Sequence, residues 1–191
     1  MILMCVGIAL FWIAHGLKIH APAKRRELSA SMGEGAVKGL VAVALLGSVV
    51  LMTVGYQQAA YTAVWTPPGF LTHINNLLMV IAIALFIAGG FKSKLADAVR
   101  HPQLAGVKTW AIAHLLVNGD LASILLFGSM LAWGVVAMIG INKRDGKGPR
   151  TAKGTLPRTI AHAVGTVVIL IGVSLAHNYF GVWPFAGSPP A

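Results

Sequence analysis

The sequence predicts an all-α integral membrane protein, a helical bundle of six transmembrane helices in a single domain of 191 residues. Three observations support this fold class. Hydrophobic residues make up 57% of the chain and charged residues only 10%, whereas a soluble domain carries about 25% charged residues. The mean hydropathy is +0.77. Residues 39–91, 121–142 and 159–191 contain no Asp, Glu, Lys or Arg, and each stretch is long enough for the roughly 20 residues that cross a bilayer.

The six predicted spans follow from apolar length and from helix-breaking residues. They cover residues 1–19, 36–55, 70–91, 103–118, 120–141 and 159–179. Residues 103–141 are too long for one span, and the turn-forming sequence Asn118-Gly119-Asp120 divides them into two helices. The first span is predicted to be a retained helix, because residues 1–17 lack the basic start of a signal peptide. Residues 142–158, rich in Gly, Lys and Arg, are predicted to form a loop.

The basic residues give the orientation. All fifteen Lys and Arg lie in three groups, at residues 18–38, 92–108 and 143–158. With six spans, all three groups lie on one side of the membrane. The positive-inside rule identifies that side as the cytoplasmic side, so both termini are predicted to lie outside. Five spans would put the third group opposite the others. The net charge of +10 is therefore interpreted as a topology signal. The predicted partner is the lipid bilayer, and no nucleic acid is expected.

Histidines are the candidate functional residues. Five of the seven lie in or at the edges of the predicted spans: His15, His73, His114, His162 and His177. An ionisable residue inside a membrane is costly and indicates function by default. The neutral imidazole is also the form that ligates metals. The chain has one cysteine, Cys5, and only five carboxylates, so haem iron suits this composition better than a zinc or calcium site.

One stripe on the fourth span concentrates these groups. Trp110, His114 and Asn118 are spaced i, i+4 and i+8, so they share a helix face. His114 could bind a ligand, or it could only hydrogen-bond a neighbouring helix.

The depth of His114 indicates its candidate partners. It lies six residues after Lys108, and His15 lies three residues before Lys18, so both imidazoles are predicted at comparable depths. His73 is the alternative partner. Two further histidines, His162 and His177, fall near the ends of the sixth span, where polar groups can reach the interface.

The segment "RHPQLAGVKTWAIAHLLVNGDLASILLFGSMLAW" at residues 100–133 resembles the NnrU family of bacterial membrane proteins. That family is linked to denitrification and includes the plant and cyanobacterial 15-cis-zeta-carotene isomerase. Shorter segments are similar as well: "FWIAHGLKI" at 11–19, "LVAVALLGSVVLMTVGY" at 40–56 and "WTPPGFLTHINNLLM" at 65–79. The resemblance extends from the N-terminus to about residue 145, which leaves the sixth span outside it.

The resemblance implies a b-type haem with His114 as an iron ligand and His15 as its partner. His73 and His101 match further family positions, as other ligands or supporting groups. The isomerase has a cysteine three residues before the "WAIAH" histidine, whereas this chain has Ala111, so a thiol ligand at that position is not implied.

Two functions follow from this resemblance, with no catalytic residue indicated for either. The first is a haem-dependent isomerase or redox enzyme acting on a lipophilic, isoprenoid- or carotenoid-like substrate. The alternative is a haem-binding sensor, carrier or electron-transfer partner in nitrogen-oxide metabolism. The resemblance implies a bacterial inner-membrane location, with a membrane redox partner or a second copy of the chain as further candidate partners.

A third function comes from a second resemblance. The sequence Arg100-His101-Pro102, followed by a membrane hairpin, resembles S-adenosylmethionine-dependent isoprenylcysteine and phospholipid methyltransferases. Those enzymes have paired acidic residues after the hairpin. Here the chain continues Asn142-Lys143-Arg144-Asp145, so methyl transfer ranks third.

Overall fold

The computed structural model describes residues 1–146 and 153–185, and this part of the chain is helical, with no strand. The helices are α1 (Ile2–Ile19), α2 (Pro22–Met32), α3 (Glu34–Gln57), α4 (Leu71–Phe91), α5 (Lys94–Ala98), α6 (Pro102–Val117), α7 (Leu121–Asp145) and α8 (Leu156–Tyr179). The predicted all-α class is confirmed. The predicted division at Asn118-Gly119-Asp120 is also confirmed, because α6 ends and α7 begins on either side of it.

Five of the described helices are long and apolar enough to cross a membrane: α1, α3, α4, α7 and α8. The chain is therefore a multi-pass membrane protein. The helix α6 has 16 residues, which gives it a length of about 24 Å, less than the ~30 Å thickness of the hydrocarbon core. It corresponds to the fourth predicted span. Among the described residues, it is the one predicted span whose helix is not long and apolar enough to be counted as membrane-crossing.

Two helices were not predicted. The helices α2 and α5 lie in the basic segments and have no long apolar run, and Pro22 starts α2 at a position where proline's fixed φ favours a helix. The predicted loop at 142–158 is shorter than expected, since α7 continues to Asp145 and α8 begins at Leu156. Residues 147–152 of that loop lie outside the described residues, as do residues 186–191 of the tail.

The helices form two compact units. Unit 1 comprises Met1–Val64 and Asp120–Gly146, and unit 2 comprises Trp65–Gly119 and Lys147–Ala191. In unit 1, α1 packs against α2, α3 and α7. In unit 2, α4 packs against α5, α6 and α8. The single-domain organisation stays a prediction.

Small residues allow the helices within each unit to approach closely. In unit 1, a Cβ added at Gly55 of α3 would collide with the backbone of Met4 on α1. In unit 2, Gly106 of α6 faces the backbone of Ala82 and Phe86 on α4. Close contacts through small residues are typical of helix packing in membranes, where van der Waals contact replaces the hydrophobic driving force.

The outer surfaces of these helices are apolar. The helix α8 exposes aliphatic side chains along its length, namely Val164, Val167, Val168, Ile171 and Leu175. In water such a patch would favour association or aggregation. In a bilayer it faces lipid tails, and the backbone polar groups are satisfied inside each helix.

Candidate functional site

The polar stripe on α6 is present in unit 2. The ring centroids of Trp110 and His114 are 5.2 Å apart, with an interplanar angle of 55°. Nδ1 of His114 lies 2.9 Å from the backbone carbonyl oxygen of Trp110. The side-chain amide of Asn118 donates to the carbonyl of His114 at 2.9 Å. The three residues therefore contact one another along one face, as their spacing predicts.

The hydrogen bond to the carbonyl of Trp110 determines which ring nitrogen of His114 carries the proton. A carbonyl oxygen can only accept a hydrogen bond, so Nδ1 is the protonated nitrogen of the ring. In the neutral imidazole, Nε2 then carries the lone pair. Histidines that bind metals commonly donate their second N–H to a carbonyl in this way, which fixes the tautomer and the orientation of the ring. The His114 ring therefore has the tautomer in which Nε2 is the acceptor nitrogen.

The residues that follow His114 hold the end of α6 in place. The peptide N–H of Asn118 also donates to the carbonyl of His114, at 3.0 Å. The carbonyl of Gly119 accepts a hydrogen bond from the N–H of Trp65 at 3.1 Å. A Cβ at Gly119 would collide with the carbonyl oxygen of Trp65, so this close approach requires glycine. The two hydrogen bonds from Asn118 to the carbonyl of His114 make Asn118 a residue that positions the end of α6.

His15 lies in an aromatic cluster of unit 1. Its ring centroid is 4.2 Å from that of Phe11 and 4.7 Å from that of Trp133. Nδ1 donates to the carbonyl of Phe11 at 3.2 Å, so His15 has the same tautomer as His114. His15 belongs to unit 1 and His114 to unit 2, and their pairing stays a prediction.

His73 and His101, the two other histidines that match family positions, lie in different surroundings from His114 and His15. His73 is exposed in the first turn of α4. His101 precedes α6, and its Nε2 accepts a hydrogen bond from Nε of Arg100 at 3.2 Å. That bond engages the lone pair which a metal would need. The geometry therefore favours a positioning role for His101 at the start of α6.

The prediction for His162 was wrong about its surroundings. The sequence suggested a side chain that reaches the interface, but His162 is 5% exposed. Its Nε2 donates to the carbonyl of Ala84 on α4 at 2.8 Å, and its ring lies 5.8 Å from that of Phe91. His162 thus connects α8 to α4.

His177 resembles His114 in its local bonding. Nδ1 of His177 donates to the carbonyl of Val173 at 2.8 Å.

A buried hydrogen-bond chain in unit 1 was missed at the sequence level. Asp120 caps α7, accepting from the backbone N–H of Ser123 at 2.9 Å and from its hydroxyl at 2.5 Å. Because the Ser123 hydroxyl donates to the carboxylate, Tyr56 must donate to Ser123, at 2.8 Å. The Asp-x-x-Ser spacing is a helix-capping signal, but the link to Tyr56 spans 67 positions in the sequence. These linked hydrogen bonds fix the start of α7 and give Asp120 a structural role.

A groove of about 330 Å³ opens on unit 1, lined by Cys5, Ile8, Ala9, Trp12, Leu125 and Ser129. The indole N–H of Trp12 donates to the hydroxyl of Ser129 at 3.0 Å. Within the part of the chain that the structure describes, no three His, Cys, Asp or Glu side chains form a metal-binding group.

The family model described as NnrU protein matches residues 3–184. The match includes α8, so the earlier limit near residue 145 was too short. No curated protein and no solved structure matches the chain.

Proposed function

The chain belongs to the NnrU family, and from this premise we propose that it is a membrane protein that binds b-type haem, with His114 as an iron ligand. The observation that carries the proposal is the bond from Nδ1 of His114 to the carbonyl of Trp110. It fixes the tautomer whose Nε2 can coordinate iron. The indole of Trp110 lies beside the imidazole and offers an apolar ring to a macrocycle.

The residues present fit the needs of haem better than those of a bare metal ion. Haem requires only one or two side-chain ligands from the protein. His15 is the first candidate for the second ligand, since its Nδ1 bond to Phe11 gives it the same tautomer as His114. His73 is the alternative.

The proposed activity concerns a lipophilic substrate. Bound haem would supply a redox-active iron that can exchange electron density with a polyene or another redox partner. The mainly apolar lining of the groove on unit 1 suits an isoprenoid-like ligand. A haem-binding sensor or electron-transfer role is the second candidate. It is supported by Ala111, which is fully buried at the position where the isomerase that this sequence resembles has a cysteine.

The test of haem binding is an absorption spectrum of the purified protein, expressed with added haem and recorded oxidised, reduced and reduced with carbon monoxide. We expect a Soret band and a pyridine haemochrome of the b type. A carbon monoxide shift would indicate an open coordination site and favour substrate or gas chemistry, whereas an unchanged reduced spectrum would favour electron transfer by a six-coordinate iron. A protein without a Soret band would refute the proposal.

We also propose six spans in a bacterial inner membrane, with both termini outside and α6 as the short fourth span. The support is the charge pattern, which places all three basic groups on the cytoplasmic side only if α6 and α7 each cross the membrane. A short apolar helix can be accommodated by local thinning of the bilayer.

Cysteine labelling tests this topology on a Cys5→Ala background. A cysteine replacing Asp145 should resist a membrane-impermeant maleimide in intact spheroplasts and react after lysis. A cysteine replacing Tyr61, in the loop before α4, should react in both. Labelling of position 145 from outside would contradict the six-span topology.

A further inference from the structure

A basic cavity lies at one end of unit 1. Its volume is about 360 Å³, and its lining consists of Lys18, Pro22, Arg25, Arg26, Ser29, Glu34 and Arg144. The lining comes from the last turns of α1 and α7, the first turn of α3, and α2. Four of these side chains are cationic and one is anionic, which gives a charge of +3 (4 − 1).

Helix geometry explains only part of this charge. Lys18 and Arg144 lie in the last turns of α1 and α7, where cations interact favourably with the helix dipole. The guanidinium of Arg144 donates to the carbonyl of Lys18 at 3.4 Å. Arg25 and Arg26 are the fourth and fifth residues of α2, where the dipole gives cations no stabilisation. Arg25 is paired with Glu34, and the positive-inside rule accounts for a basic segment as a whole, but neither explains why Arg26 lines the same cavity as Lys18 and Arg144.

The cavity already holds one oxyanion. Glu34 accepts hydrogen bonds from Nη2 of Arg25 and from the Ser29 hydroxyl, both at 2.7 Å, and its ion pair with Lys38 is 3.6 Å long. These donors are thus arranged around a carboxylate at the edge of the cavity. Glu34 is the single acid among the lining residues and pairs with Arg25, and Arg144 pairs with Asp145 at 2.6 Å outside the lining. The charges of Lys18 and Arg26 therefore exceed what these two carboxylates balance.

We propose that this cavity binds a phosphate-bearing anion, whose oxygens would complete the charge balance of Lys18 and Arg26 beside the guanidinium of Arg144, which is paired with Asp145. Arginine forks match phosphate geometry. The cavity lies at the ends of α1, α3 and α7, three helices fit to span the bilayer, and basic pockets at this level bind anionic lipid headgroups. The favoured source of the phosphate is therefore a phospholipid, with a soluble phosphate compound as the other source. This site is independent of haem binding.

The experiment compares three full-length proteins in a neutral detergent: the parent, Arg26→Gln and Lys24→Gln. Lys24 is the matched control, because it lies on the same helix, pairs with exposed Glu27 at 3.1 Å and lies outside the cavity lining. In the lipid arm, each protein is equilibrated with equimolar phosphatidylglycerol and phosphatidylcholine, and retained lipid is counted by native mass spectrometry. In the soluble arm, inorganic phosphate is added at constant ionic strength and thermal stability is measured.

We expect the parent to retain phosphatidylglycerol over phosphatidylcholine. Arg26→Gln should lower this preference about fivefold, as expected for the loss of ~1 kcal/mol from one cation near a headgroup, and Lys24→Gln should leave it unchanged. Stabilisation by inorganic phosphate that is lost in Arg26→Gln, without a lipid preference, would support the proposal with a soluble source. Neither effect in the parent, or equal losses in Arg26→Gln and Lys24→Gln, would overturn it.

Discussion

Replacing His114 by alanine is expected to reduce the haem content of the purified protein at least about tenfold, since loss of a metal ligand typically exceeds the 10- to 100-fold effects seen for outer-shell partners. Nδ1 of His114 bonds to Trp110 of the same helix, and α6 approaches α4 closely through Gly106, a contact that the substitution leaves unchanged. The variant should therefore still insert into the membrane. Haem content is measured as the ratio of Soret to protein absorbance at equal membrane yield.

Two controls separate ligation from structure. His162→Ala removes an equally large buried imidazole whose Nε2 is bound to the Ala84 carbonyl, and it should retain haem. A His114→Gly variant should regain the Soret band when imidazole is added, because free imidazole can replace the missing ligand. If His114→Ala holds haem with an unaltered spectrum, His114 is a structural residue and the ligand assignment is wrong.

The same measurement identifies the second ligand. His15→Ala should behave like His114→Ala if these residues share the iron, whereas a loss in His73→Ala instead would assign the alternative. His101→Ala should keep its haem, since the lone pair of His101 is engaged by Arg100.

Substituting alanine for Gly55 is expected to destabilise unit 1 by about 1–3 kcal/mol, the usual cost of overpacking. The added methyl group would collide with backbone atoms of Met4, which cannot rotate away as a side chain can. The helices α1 and α3 would have to separate. Thermal unfolding in detergent should therefore show a melting temperature several degrees lower than that of the parent.

Gly47→Ala is the matched control on the same helix. A Cβ at Gly47 meets no atom within 4 Å, and alanine favours a helix over glycine by roughly 0.5–1 kcal/mol. This variant should be at least as stable as the parent. Equal melting temperatures for Gly55→Ala and Gly47→Ala would show that the close contact of α1 and α3 does not limit stability.

Local sequence patterns were sufficient to predict the fold class and the polar stripe on α6. The uncharged stretches predicted helices, and the observed ends differ from the predicted ones by at most four residues (141 predicted, Asp145 observed). The contact of Trp110 with His114 was predictable because residues four apart always share a helix face. Asn118-Gly119-Asp120 was predictable as a turn because its chemistry is local.

The sequence by itself determined an apolar, helical, membrane-spanning chain with a histidine stripe on α6. Only the tertiary structure decided which neighbour each polar group meets. His162 bonds to a carbonyl on α4, Tyr56 bonds to a serine 67 positions away, and Arg144 reaches the carbonyl of Lys18. The physical reason is that periodicity reports the face of a helix on which a residue lies. It does not report which helix packs against that face, because this depends on close approach at positions such as Gly55 and Gly106.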